Sequence, residues 1–204
     1  MADLATQYPA SPSFVSINFK NNTPVQLTNT MSGKIRRIGL GTVFYSFEVK
    51  YPSLTRLQAG TVKGYLAQAL GSVYSFEIVL PTLSYSALTA QTVSTPRTSA
   101  NAVIGATSIA LTNCGVSQTV LAAGDFFKFD NHTKVYQCTS PCTSNSSGAA
   151  TLYFNGPAVS AVPSSTNLTI TAVPFTVIAD GEAQEFEVGF GGITSMSVSM
   201  REVW

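Results

Sequence analysis

Phe44-Tyr-Ser-Phe-Glu-Val-Lys-Tyr51 alternates strictly: Tyr45, Phe47, Val49 and Tyr51 fall on one side, Ser46, Glu48 and Lys50 on the other. Successive side chains of a strand point to opposite faces, so this period of two predicts a strand with one buried and one wet face. The period returns at Tyr74, Phe76, Ile78 and Leu80 against Ser75 and Glu77. It returns again at Phe186, Val188 and Phe190 against Glu185 and Glu187, and at Met196, Val198 and Met200 against Ser195, Ser197, Ser199 and Arg201. Such strands belong to antiparallel sheets that pack one face on a core and leave the other in water.

Residues 53–70 break the pattern. Leu54, Leu57, Val62, Tyr65, Leu66, Ala69 and Leu70 recur at helical spacing, and Ser53 after Pro52 suits an N-cap. Gly60 and Gly64 weaken this helix by about 1 kcal/mol each relative to Ala, and Gly71 suits its close. One helix packed on one face of the sheet is expected, with a break conceivable at Gly60.

Ser84 to Thr107 is rich in Ser, Thr and Ala, has little periodicity and reads as a linker. Beyond it, short strands are expected at Ser108–Thr112, Gly124–Phe129, Lys134–Cys138, Ala149–Phe154 and Leu168–Val173, with turn residues at close spacing. Pro174 then precedes a return of the first pattern. The fold class expected is therefore mainly β. Residues 1–90 and 174–204 form one discontinuous α+β module with one helix, and residues 100–173 form an inserted small β-barrel. One continuous sandwich is the alternative.

Of the 204 residues, 45% are hydrophobic but only 10% are charged, where an ordinary soluble domain has roughly a quarter. Ser and Thr, 24 of each, fill the gap. With 10% aromatics and a net charge of +1, this is neither a disordered chain nor a strongly basic nucleic-acid binder. Mean hydropathy is +0.21, yet no apolar run is long enough to span a membrane. A chain so apolar and so weakly charged suits a protein whose surface is covered by partners. Its first residues lack the basic start and apolar stretch of a secretory signal, so a reducing compartment is expected. There Cys114, Cys138 and Cys142 stay free thiols, with a local Cys138–Cys142 disulfide the alternative. A zinc site lacks ligands, since His132 is the only histidine.

Charge is divided along the chain. Residues 1–100 hold eight basic and three acidic residues, and residues 101–204 hold three basic and seven acidic. The basic surplus includes Lys34, Arg36 and Arg37; the acidic surplus includes Glu182, Glu185 and Glu187. These six are the candidate inter-subunit charge contacts, because opposed ends favour head-to-tail association and heterologous contacts close into rings. Pairing within one subunit is the other possibility.

Catalytic chemistry is thinly represented. There is no Gly-x-Ser-x-Gly elbow, Gly60-Thr-Val-Lys-Gly64 lacks the phosphate-loop spacing, and Gly189-Phe-Gly-Gly192 leads into a strand, so a hinge or bulge is expected there. His132 falls in a turn, and Glu48, Glu77, Glu185 and Glu187 sit on the wet faces of strands. No enzyme activity and no cofactor are expected.

The central module carries Ile104-Gly-Ala-Thr-Ser-Ile-Ala-Leu111, then Leu121-Ala-Ala-Gly-Asp-Phe-Phe-Lys-Phe129, Lys134-Val-Tyr136, Gly148-Ala-Ala-Thr-Leu-Tyr-Phe154 and Pro157-Ala-Val159. With the closing run Gly191 to Glu202, this layout resembles the distal-tail-like proteins of tailed bacteriophages, in which a barrel is inserted into a belt-forming module. Pro157-Ala158 stands where that family has a double proline.

The resemblance implies structural work: a homohexameric ring at the distal end of the tail, joining the tail tube to the hub and the fibre or receptor-binding proteins. DNA passes through the lumen without specific binding, no membrane is involved, and the barrel projects outward. The expected location is the virion tail tip, after synthesis in the bacterial host cytoplasm. Two alternatives stand beside it: a carbohydrate-binding or adhesion module using Tyr136 and Tyr153 as exposed stacking rings, and another tail tube or baseplate subunit.

Overall fold

The computed structural model, which describes residues 4, 7–39, 41, 43–88, 95–181 and 186–204, opens with a long antiparallel ribbon. β1 (Ser16–Asn22) runs into β2 (Val25–Asn29) across Thr23 and Pro24 alone, and β3 (Ile35–Gly39) returns into β4 (Phe44–Lys50). β1 pairs with β4 from Ser16↔Lys50 to Asn22↔Phe44, and β2 pairs with β3 from Val25↔Gly39 to Asn29↔Ile35. Tyr45, Phe47, Val49 and Tyr51 are all buried, as their alternation requires.

The helix α1 (Arg56–Gln68) starts later than Ser53. Leu54 is held extended by a bridge to Thr194, so the first residue free to cap is Thr55. Its hydroxyl accepts from the Gln58 N–H at 3.5 Å while Gln58 Oε1 accepts from the Thr55 N–H at 3.0 Å, a reciprocal capping box. The helix is unbroken through Gly60 and Gly64. Ala59, Val62, Tyr65 and Leu66 are buried on the sheet, but Leu57 and Leu70, expected on the same stripe, are 85% and 59% exposed. Leu57 lies about 200° round the helix from Ala59. Leu70 follows the C-cap Ala69 with φ +47°, where the helix has already ended.

Gly60 and Gly64 both face open space, with nothing within 4 Å of an added Cβ. Gly60→Ala and Gly64→Ala should therefore each raise stability by about 0.5–1 kcal/mol, read as higher thermal midpoints.

β5 (Phe76–Ile78) buries Phe76 and Ile78, with Leu80 beyond it. Ser75, expected in water, is also buried, because the N-terminal segment runs alongside: Leu4 N–H donates to the Ser75 carbonyl and Tyr8 N–H to that of Glu77, both at 2.8 Å.

The linker expected over 84–107 ends sooner than its composition suggests. β6 (Arg97–Thr98) pairs with β7 (Ser108–Thr112), and Ala102 bridges Val162. No apolar alternation announces this stretch, because hydroxyl and backbone bonds hold it. Thr98 Oγ1 donates to the Pro163 carbonyl at 2.7 Å and accepts from the Thr166 N–H at 2.9 Å. Then follow β8 (Thr119–Leu121), β9 (Phe126–Phe129), β10 (Val135–Gln137), β11 (Cys142–Thr143), β12 (Ala150–Tyr153) and β13 (Leu168–Thr169). These strands form three small antiparallel sheets, β12-β7-β6, β10-β9-β13 and β11-β8. No ladder among the described residues joins them into a closed barrel.

β14 (Phe175–Ala179), β15 (Phe186–Val188) and β16 (Thr194–Glu202) complete the main sheet, ordered β1-β4-β16-β14-β5 with β15 beside the start of β16. The glycine run forms a tight 3-10 turn between β15 and β16. Gly191 and Gly192 lie at φ +77° and +76°, where a side chain would strain the backbone.

Buried apolar side chains form two clusters. One contains Tyr8, the inward residues of β4, β5, β14 and β16, and the inner face of α1. The other draws only on residues between Ala102 and Ile170. Phe126 and Val135, though they lie in the central segment, belong to the first. Phe126 packs among Phe19, Tyr45 and Phe175 at ring-centroid distances of 5.3–5.4 Å. Its neighbour Phe127 turns the other way, onto Phe129, Tyr136 and Phe154. Cys114, Cys138 and Cys142 are free and buried in the second cluster, and burial pushes their thiols up, that of Cys142 to about 12.

Candidate assembly surface

β2 and β3 pair with each other and with no other described strand, and every residue in them is exposed. They form an arm that continues the β1–β4 ribbon past the body by five residues, or about 17 Å at the rise of an antiparallel strand. Its turn is closed by Gly33 N–H donating to the Thr30 carbonyl and by the Thr30 hydroxyl donating to that of Lys34. Directly opposed residues share a face. Val25, Leu27, Asn29, Ile35, Arg37 and Gly39 therefore lie on one side of the arm, and Gln26, Thr28, Arg36 and Ile38 on the other. The arm and its turn expose Val25, Leu27, Met31, Ile35 and Ile38.

Lys34, Arg36 and Arg37 are all exposed on this arm, Lys34 at its turn. The two arginines, adjacent in sequence, project from opposite faces, so they do not form one basic patch.

The opposite end of the β1–β4 ribbon presents different chemistry. β15, expected to be half-buried from its alternation, is exposed throughout, with Phe186 at 49% and Val188 at 60%. Among the described residues it pairs only with Thr194–Met196 of β16. The Lys63 ammonium stands over the Phe186 ring, 3.5 Å from its centroid. Ile193, which precedes β16, is exposed as well. A shallow groove of about 770 Å³ runs past this strand, lined by Glu48, Lys50, Tyr51, Glu187, Met196 and Ser197 among others. Glu48 meets Lys50 at 3.9 Å, an exposed pair of little energetic weight. Glu187 is exposed and has no salt-bridge partner among the described residues. Glu182 and Glu185 lie outside the described residues.

The other groups singled out in the sequence have structural surroundings. His132 sits in the β9–β10 turn with Nδ1 2.9 Å from Asn131 Oδ1 and Nε2 2.9 Å from the Tyr136 hydroxyl. Burial, then the charges of Lys134 and Lys128, push it down to about 4. Glu77 pairs with Lys128 at 3.5 Å. Tyr136, expected as an exposed stacking ring, is fully buried, which corrects that expectation. Its phenol is held by His132 and by the Val159 N–H. Tyr153 is 51% exposed. Among the described residues no three His, Cys, Asp or Glu side chains cluster to hold a metal ion, and no helix is long and apolar enough to cross a membrane.

One feature escaped sequence reasoning. Lys134 Nζ lies 2.6 Å from Glu202 Oε2, with both side chains sealed from solvent. Glu202 also accepts the N–H groups of Tyr45 and Val135, and the ammonium stands over the rings of Tyr45, Tyr136 and Trp204. This pair ties the central segment to the last strand of the main sheet. A signal for half of it existed: the period that buries Met196, Val198 and Met200 also carries Glu202 inward.

A scan against models of known protein families finds no match to this chain, and a search of curated proteins finds none either.

Proposed function

We propose that the protein is a structural subunit of a tailed-bacteriophage virion, assembling into a homohexameric ring at the distal end of the tail. In this reading residues 1–90 and 174–204 form the belt, and residues 100–173 are an inserted module that faces outward toward fibres or the host. The tail tube and hub are its other neighbours.

The observation that carries the reading is the arm. A two-stranded ribbon with no sheet or helix against it is marginal in water, and this one exposes a row of apolar side chains. Such an element suits a subunit that is completed by its neighbours. The low charge content of the chain agrees, as does β15, whose exposed strand lies at the margin of the main sheet. Native mass measurement and negative-stain imaging of the purified protein should give a hexamer seen as rings. A stable monomer at high concentration would overturn the proposal.

A further inference from the structure

We infer that the cleft between the N-terminal segment and the end of β5 takes an extended peptide segment of a partner protein. Main-chain bonds to Val79 hold the peptide, and one of its apolar side chains lies against Phe14 and Tyr85. The site stands whether or not the ring forms.

The N-terminal segment follows one edge of β5. Leu4 and Tyr8 donate their N–H groups to the Ser75 and Glu77 carbonyls, both at 2.8 Å. β14 takes the other edge, pairing with Phe76–Ile78. In an extended chain alternate residues turn their N–H and carbonyl to the same edge, so Val79 addresses the edge that Ser75 and Glu77 address. The N-terminal segment does not serve it there: the residue after Tyr8 is Pro9, which has no N–H. Among the described residues nothing bonds to the N–H or the carbonyl of Val79. The edge is covered at Ser75 and Glu77 and open one step further on.

That open step lies in a cavity. A cleft of about 510 Å³ is lined there by Val79, Phe14, Tyr85, Pro9, Pro81 and Pro174 among others, a size and an apolar character usual for binding sites. Tyr85 is 48% exposed. The three prolines have no N–H to offer Val79, so they line the cleft without closing it. Glu77 is the only charged residue of the lining, and it already meets Lys128 at 3.5 Å. A strongly charged ligand finds no free counter-charge. An extended peptide supplies what is missing: a carbonyl and an N–H for Val79, and an apolar side chain for the rings. This is strand addition over a short stretch of edge, in which main-chain bonds give affinity and the pocket gives selectivity.

The test is selection from a yeast-displayed library of random heptapeptides with the purified protein. The selected sequence is then made as a fluorescent synthetic peptide, and its binding is read by anisotropy. Tyr85→Ala and Val79→Pro should each weaken binding by about tenfold or more. Leu57→Ala, at an exposed position of α1 that does not line the cleft, should leave it unchanged. Circular dichroism confirms that each variant is folded. Methylating the peptide nitrogens one at a time should abolish binding at one position, an effect that apolar contact alone would not produce. The proposal is overturned if no sequence is enriched over selection with the Tyr85→Ala protein. It is equally overturned if Val79→Pro binds as the unaltered protein does, or if methylation has no effect at any position, which would leave the cleft an apolar pocket for small molecules.

Discussion

Replacing Lys134 with Met will lower the stability of the protein by about 3–5 kcal/mol, the usual effect of removing one partner from a buried ion pair. The substitution keeps the volume of the stem, so the loss isolates the charge. Glu202 would be left fully buried with only the N–H groups of Tyr45 and Val135, at 3.1 and 2.9 Å, to offset its negative charge. Burial already pushes the Glu202 carboxyl up, against the pull of Lys134. Without the ammonium it rises further, so the folded variant holds a proton that the unfolded chain releases near the ordinary carboxylate value. A raised folded value contributes stability at low pH and loses it as pH rises through that value. The gap between the variant and the unaltered protein should therefore narrow as pH falls from 7 toward 5. Denaturant midpoints at the two pH values measure this. Trp204, the only tryptophan, has the ammonium 4.9 Å from its ring and supplies a fluorescence signal at the site. Adding Glu202→Gln to Lys134→Met removes both charges while leaving an acceptor for one of the two N–H groups, which reach different carboxylate oxygens, and it should recover part of the loss. Equal instability of the single and double variants would show that the charges are not the cause.

The second large effect is expected at Phe126-Phe127, where one dipeptide serves two cores. Phe126→Ala and Phe127→Ala should each cost about 3–5 kcal/mol, as truncation of a buried phenylalanine does. Their local consequences should differ. Phe126 is wedged among Phe19, Tyr45 and Phe175, so its loss should speed amide hydrogen exchange in β4 and β14. Phe127 packs on Phe129, Tyr136 and Phe154, so its loss should act on β10 and β12. The same exchange pattern from both variants would contradict the division of the two rings.

Much of the main sheet was legible in the sequence, because β4 and β16 follow the strict alternation that a half-buried strand must have. The helix was legible in type and in part of its inner face, with Val62, Tyr65 and Leu66 placed as expected. The arm was not. Val25, Leu27, Ile35 and Ile38 are diluted by Thr, Asn and Arg, and the stretch carries no alternation as long as that of β4. β15 fails in the converse way. Phe186 and Val188 alternate with Glu187 as a buried strand would, yet alternation marks an apolar face and not what covers it. The basic and acidic residues were readable as two groups. That Arg36 and Arg37 diverge follows only from the register of β2 with β3. Lys134 gave no sign of burial, since a lysine beside a turn is ordinarily in water.

The position of β16 has a consequence for how the polypeptide is made. This strand lies at the middle of the main sheet, between β4 and β14, although it follows both of them in the chain. At roughly 5–20 residues per second, some 7 to 30 s separate the emergence of Lys50 from that of Thr194. Throughout that interval the aromatic side of β4 waits without its central neighbour, and the nascent ribbon is a sticky target for other chains. The sheet therefore cannot close its centre until that later strand has been made, and a chaperone that shields the first strands would govern the yield.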